Sequence, residues 1–132
     1  MTTKLPPDKA KLFQEPNFGF LATLQPDGSP QVSPVWVDYD GTHILVNTAE
    51  GRAKPRNVRK NPQVSIAISP KDNPYAFVQV RGKVIEVTPN GADAHIDKMA
   101  KKYLNKDKYP FRQPGEKRVI VKIAPEKISG WG

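Results

Sequence analysis

The sequence predicts a mainly β fold with some helix: an antiparallel barrel of six strands with helices packed outside it. Three observations point there. Six runs of strand-forming residues follow one another along the chain, two junctions between them carry hairpin-turn chemistry, and one stretch late in the chain has clear helical periodicity. A chain of 132 residues can bury about two thirds of its unfolded surface in one core, so a single domain over residues 1–132 is expected, with residues 1–16 as an N-terminal arm.

The arm is polar and flanked by prolines, and reads as a short helix over 8–14 anchored by Leu12 and Phe13. A first strand over 18–24 runs into Gln25-Pro-Asp-Gly-Ser-Pro30, where proline presets one turn dihedral and glycine accepts a positive one. A second strand spans 31–39. Pro34 cannot donate to a ladder, so that point should lie at an edge, a bulge or a ligand. Asp40-Gly41 then makes a tight turn into a third strand over 42–48. A short basic helix follows, with Pro55 as its first residue, Lys54 as the last residue before it, and its end ahead of Pro62. Residues 63–69 alternate with period two as a half-buried fourth strand. Residues 75–88 are long enough for a bent fifth strand, with Gly82 where a bend or bulge belongs. Thr88-Pro89 resembles a helix start, and Ala92, Ile96, Met99 and Tyr103 fall on one helical face. A polar loop over 105–116 carries Tyr109, Phe111 and Arg112, and a sixth strand over 117–124 precedes the terminal segment.

Composition narrows the chemistry. Without cysteine there is no disulfide framework, thiol nucleophile or thiolate zinc site, and two histidines make no metal cluster, so no metal site is expected. No apolar run nears the roughly 20 residues that span a bilayer, and the first residues lack the apolar core of a signal peptide; a cytoplasmic protein is the expectation. The net charge of +8 suits anionic partners or plain solubility equally well, so its distribution matters more than its sum. Scattered acids offer no carboxylate pair, no Ser/His/Asp arrangement is readable, and His43 and His95 read as structural. No catalytic residue is assigned.

The charge is densest at Glu50-Gly-Arg-Ala-Lys-Pro-Arg-Asn-Val-Arg-Lys60, which holds five cations. Arg52 and Lys54 precede a helix start, where free N–H groups and the positive end of the helix dipole favour phosphate, and Gly51 allows close approach. The bland alternative is a solvated helix surface. Arg56 and Arg59 share a face that either meets solvent or extends an anionic groove. Trp36 either stacks beside a ligand or packs in the core, and the 105–116 loop either closes over a ligand or packs on the surface.

The succession Phe20-Leu-Ala-Thr-Leu24, Asp27-Gly-Ser-Pro-Gln31, Ser33-Pro-Val-Trp-Val37, Gly51-Arg-Ala-Lys-Pro-Arg-Asn57, Asn61-Pro62 and Val80-Arg-Gly82 resembles the pyridoxamine-phosphate-oxidase-like split β-barrel flavoproteins. Within that family it is most similar to the F420-dependent branch, the flavin/deazaflavin oxidoreductases B. The resemblance implies a homodimer with its cofactor in a groove between subunits. It places Arg52 and Lys54 at the cofactor phosphate, with Gly51 and Ala53 in the same motif and Asn57 in the adjoining helix turn. It sets Ser33, Pro34, Val35 and Trp36 beside the ring system, and Asn47 and Thr48 near the ribityl and phosphate region. Compared with true pyridoxamine phosphate oxidases the chain is much shorter and lacks a carboxy-terminal Arg/His motif for a pyridoxal substrate.

The resemblance therefore implies an F420-dependent oxidoreductase that exchanges hydride with a conjugated small molecule. The alternative cofactor is FMN, which has only its phosphate to neutralise. F420 adds an acidic oligoglutamate tail that a groove built from Arg56, Arg59, Lys60 or Lys71 would favour. A different class, a small β-barrel that binds nucleic acid, fits the charge but not the aromatics, which fall in apolar strand positions rather than among lysines.

Overall fold

The computed structural model describes residues 3–131. Helix α1 (Pro7–Gln14) leads into β1 (Gly19–Leu24), β2 (Pro30–Val35), β3 (Asp38–Tyr39) and β4 (Ile44–Ala49). After them come α2 (Ala53–Lys60), β5 (Gln63–Ile68), β6 (Phe77–Thr88), α3 (Ala92–Leu104) and β7 (Arg118–Trp131). All strands join one antiparallel sheet in the order β2-β1-β5-β6-β7-β4-β3.

The sheet has seven strands rather than six, because the predicted second strand is broken in two. β2 pairs with β1 at one edge, β3 pairs with β4 at the other, and only Trp36 and Val37 separate them. Three residue steps of extended chain reach at most about 11 Å, so the two edges must curl towards each other. The result is a half-barrel whose rim is crossed by a covalent link rather than by ladder hydrogen bonds. Pro34 sits in the edge strand β2, where a missing N–H costs no ladder bond.

Alternation fills the inside of the curl. Leu21 of β1, Ile66 of β5, Val80 of β6 and Ile123 of β7 are each at most 1% exposed and pack with Phe13 of α1. Gly82 lies in this row where the β6–β7 register shifts, Arg81 facing Lys127 and Gly82 facing Pro125, which leaves Glu126 as the extra residue of a bulge. That bulge absorbs Pro125, so β7 continues to Trp131 rather than stopping at Ala124 as the sequence pattern predicts.

Helix α3 covers the outer face of β4 and β7, burying Ala92 against Leu45 and Ile120. It starts at Ala92 with Gly91 as N-cap, later than predicted, because Thr88 remains in β6 and its Oγ1 accepts from Asn90 N in a local turn. The helix also fastens the split. Tyr103 Oη accepts from Val37 N at 2.9 Å and donates to Asn17 O at 2.6 Å, and Lys102 Nζ donates to Phe13 O and Val37 O, both at 2.6 Å. Next to it, Asp38 Oδ2 accepts from Lys98 Nζ and lies 3.1 Å from His95 Nε2. Burial pushes Lys102 down to about 8, Asp38 opposing and Lys98 adding to the shift.

Two outcomes follow from this packing. A Cβ at Gly82 would lie 2.4 Å from the Ala124 carbonyl oxygen, a backbone atom that cannot swing away. Gly82→Ala should therefore destabilise the fold by about 1–3 kcal/mol in denaturant titrations. Burial works against the Asp38 carboxylate, but hydrogen bonds from His95 and Lys98, the Lys98 charge and the Tyr39 N–H outweigh it and hold its pKa well below the usual 3.8. A depressed carboxyl stabilises the fold above its unfolded pKa and loses that contribution as pH falls through the folded one. Asp38→Asn should lower the melting temperature at neutral pH and flatten its decline below about pH 4, where the side chain of the unfolded chain titrates.

Candidate functional site

A cleft of about 240 Å³ opens beside the split. It is lined by Pro34, Val35 and Trp36 from the β2–β3 junction, Asn47 and Thr48 from β4, and Arg52 and Lys54 from the entry to α2. These seven residues, all singled out in the sequence, come together in space. The cleft also takes Tyr109 and Phe111 from the long loop, and Phe18, Ile96 and Arg118, which sequence reasoning missed.

The other four residues of the sequence-derived set stand apart from that lining. Ser33 faces Leu21 across the β1–β2 ladder, and its buried Oγ has no hydrogen-bond partner among the described residues. Gly51 takes φ +87°, the left-handed conformation that lets the chain turn from β4 into α2. Ala53 is the first residue of α2. Asn57 is fully buried on the far side of the helix, its Nδ2 donating to Thr23 Oγ1 at 3.0 Å, so it ties α2 to β1. Helix α2 also begins two residues before the predicted position. Pro55 is its third residue and Lys54 lies within it, because first-turn N–H groups have no intrahelical acceptor and a proline there removes nothing.

The wall of the cleft is aromatic. Trp36 stacks on Tyr103 with centroids 5.1 Å apart and planes 6° apart, so it both packs against α3 and faces the cleft. Tyr109 meets Trp36 edge-on at 6.0 Å, and Phe111 meets Tyr109 edge-on at 5.7 Å. Asp97 of α3 draws the loop into this position, accepting from Tyr109 N at 2.8 Å and from Arg112 Nη2 at 3.1 Å. The Tyr109 N–H holds the Asp97 carboxyl below its ordinary range, helped by Arg112 and Lys108.

Charge in the cleft is unbalanced. Glu116 is shared by two arginines, its Oε1 lying 3.0 Å from Arg118 Nη1 and its Oε2 lying 3.3 Å from Arg52 Nη2. Lys54 is half-buried and has no carboxylate partner among the described residues; burial lowers its pKa and the Arg52 charge adds to the shift. Thr48 contributes a buried Oγ1 without a hydrogen-bond partner among the described residues. The first turn of α2 has no acidic residue and, among the described residues, no capping side chain, so the N–H groups of Ala53 and Lys54 are open to another acceptor. Unpaired buried donors and cations are costly in isolation, and an anion set among them would relieve that cost.

Among the described residues the lining carries the cations Arg52, Lys54 and Arg118 and no carboxylate, so it suits an anion beside a flat conjugated ring. Outside it, a surface groove lined by Glu50, Gly51, Arg52, Arg56, Arg59 and Lys60 adjoins through Arg52. Arg59 is neutralised there by Glu50, at 2.6 and 2.8 Å, and Lys71 is not part of the groove's lining. No group of three or more His, Cys, Asp or Glu side chains is placed to hold a metal ion among the described residues. No helix among them is long and apolar enough to cross a membrane.

Comparison with known proteins agrees with this architecture. The chain superposes on an F420 reductase with a TM-score of 0.82 at 33% identity, over 95% of this chain and 98% of that one. The conserved hypothetical protein Rv2991 of Mycobacterium tuberculosis shares the fold with a TM-score of 0.74 at 23% identity, over 98% of this chain and 86% of that one. General Stress Protein 26 of Bacillus anthracis shares it at 0.66 and 19% identity, over 93% and 90%. The family model described as pyridoxamine 5'-phosphate oxidase matches residues 5–132, and the chain belongs to that family.

Proposed function

We propose that the protein is an F420-dependent oxidoreductase, active as a homodimer. The observation that carries this is a Lys54 ammonium and a Thr48 hydroxyl that both lack partners among the described residues and line one cleft with Trp36. Those groups fit a phosphorylated, ring-bearing coenzyme. Arg52, Lys54 and the free N–H groups of α2 would hold the phosphate, and Pro34, Val35 and Trp36 would flank the ring. When bound, the deazaflavin supplies the hydride chemistry; the chain orients the ring, excludes water from one face and presents the other to a conjugated small molecule.

F420 is preferred to FMN because the cationic groove continues past the phosphate position. Arg56 and Lys60 there have no carboxylate partner among the described residues, and an acidic tail would pair with them. The likeness to an F420 reductase supports the same preference. A second copy is invoked because about 240 Å³ is smaller than the roughly 300–1,000 Å³ of typical ligand sites. Phe18 in the cleft continues onto Phe20 and Val32, exposed by 50%, 52% and 63%, an apolar face that a partner subunit would cover.

Titration with oxidised F420, followed by fluorescence, should show saturable binding stronger than that of FMN; no saturation with F420 refutes the assignment. Replacing Arg52 and Lys54 together by Ala removes two charge-assisted contacts and should weaken F420 by about a hundredfold or more, with little change in melting temperature. Val32→Asp places a charge on the apolar face and should shift sedimentation from dimer to monomer.

A further inference from the structure

Asn47 joins the cleft to a line of buried polar groups that reaches it from α3. Its Nδ2 donates to the Ala92 carbonyl at 2.8 Å and lies 3.1 Å from His95 Nδ1, while its Oδ1 accepts from Arg118 Nε at 2.8 Å. A carbonyl oxygen only accepts and a guanidinium nitrogen only donates, so the amide can sit one way round. His95 Nδ1 must then accept, and the ring proton stands on Nε2, 3.1 Å from Asp38 Oδ2. Asp38 is fixed in turn by Lys98 and by the Tyr39 N–H. Every group from Lys98 to Arg118 thus has one polarity and one orientation.

At the cleft end, Arg118 is only 5% exposed, yet it lines the cavity. Nε is held by Asn47, Nη1 by Glu116, and the guanidinium lies 5.1 Å from the Tyr109 ring centre. No hydrogen bond engages Nη2 among the described residues, and Arg118 lines the cleft, so Nη2 is the guanidinium nitrogen left to meet a ligand there. An arginine kept only for an ion pair does not need its Nε aimed by three further side chains. A donor presented to a ligand does, because its planar fork binds an oxygen well only when held still.

We propose that Arg118 is a further binding residue of the cleft, its Nη2 donating to an anionic or carbonyl oxygen of the bound coenzyme, and that Asp38, His95 and Asn47 are the positioning residues that aim it. The assignment of a coenzyme rests on the function proposed above; the aiming of Arg118 does not.

Nuclear magnetic resonance of the ¹⁵N-labelled full chain without ligand tests the aiming. His95 should carry its proton on Nε2 with Nδ1 bare, and the Arg118 Nε–H should give a resolved, slowly exchanging signal. His95→Phe keeps the ring volume but not the nitrogens and should lose that signal. His95→Gln, whose amide presents one acceptor and one donor, should restore it. Fluorescence titrations with F420 and FMN test the ligand. Arg118→Gln should weaken whichever coenzyme the unmodified chain binds by about tenfold or more. His95→Phe should weaken it by a smaller factor, and His95→Gln should recover most of the loss. Unchanged affinity in a folded Arg118→Gln variant overturns the binding role. A proton on Nδ1, or an Arg118 signal indifferent to His95→Phe, overturns the positioning role even if Arg118→Gln fails to fold. Failure of the unmodified chain to bind either coenzyme removes the coenzyme assignment and Arg118's ligand with it, and leaves the aiming to be decided by the ligand-free spectra.

Discussion

The structure depends on how the backbone at Val37 finds its hydrogen bonds. Val37 lies between β2 and β3, at the one place where the sheet edges meet without a ladder, and it is fully buried. A buried N–H or C=O left unpaired there would cost about 1–3 kcal/mol. Helix α3 supplies the missing partners, Tyr103 Oη to the N–H and Lys102 Nζ to the carbonyl. The same two side chains bond Asn17 O and Phe13 O, so the arm, the split and the helix are held at one point. The Tyr103 ring that makes this bond is also the one on which Trp36 stacks. Closing the half-barrel and building the aromatic wall of the cleft are therefore one event.

That arrangement explains what was legible in the sequence. Turn chemistry and alternation locate the strands, because Gly41 and the period-two runs are local signals. The break in 31–39 is not local: β2 and β3 read as one strand, and only their partners at opposite ends of the sheet separate them. Gly82 marks its bulge in advance, since a side chain there would collide with the neighbouring strand, whereas Pro125 looks like a stop until its place opposite that bulge is known. The start of α3 is misread because Thr88 can cap a turn as well as a helix.

The candidate site divides along the same line. Arg52 and Lys54 are readable because a glycine, two cations and a helix start fall within a few residues, whereas Trp36 enters through the resemblance, its own residue type leaving core packing as open as stacking on a ligand. Arg118 reaches the cleft only through the pairing of β4 with β7, where it faces Ala49, 69 residues earlier in the chain and beyond the reach of any local pattern. One signal was present. The contiguous apolar residues 44–46 and 119–121 show that both faces of these strands are covered, which makes a cation at the start of the second run a buried one.

Burial at that position gives the cations their meaning. Glu116 is nearly buried and bonds both Arg52 and Arg118, so it neutralises one of them and leaves the other, with Lys54, as surplus positive charge around a narrow opening. Like charges gathered in partly desolvated surroundings repel more strongly than they would in bulk water and weaken the fold that holds them. A fold under selection for stability alone would place acids in the first turn of α2, where the helix dipole and the free N–H groups favour them; that turn has none. Local physics and stability disagree in this turn, and such disagreement is expected at functional sites. An anion of two charges seated there would cancel the surplus, satisfy the helix N–H groups and add its binding free energy to the stability of the split itself.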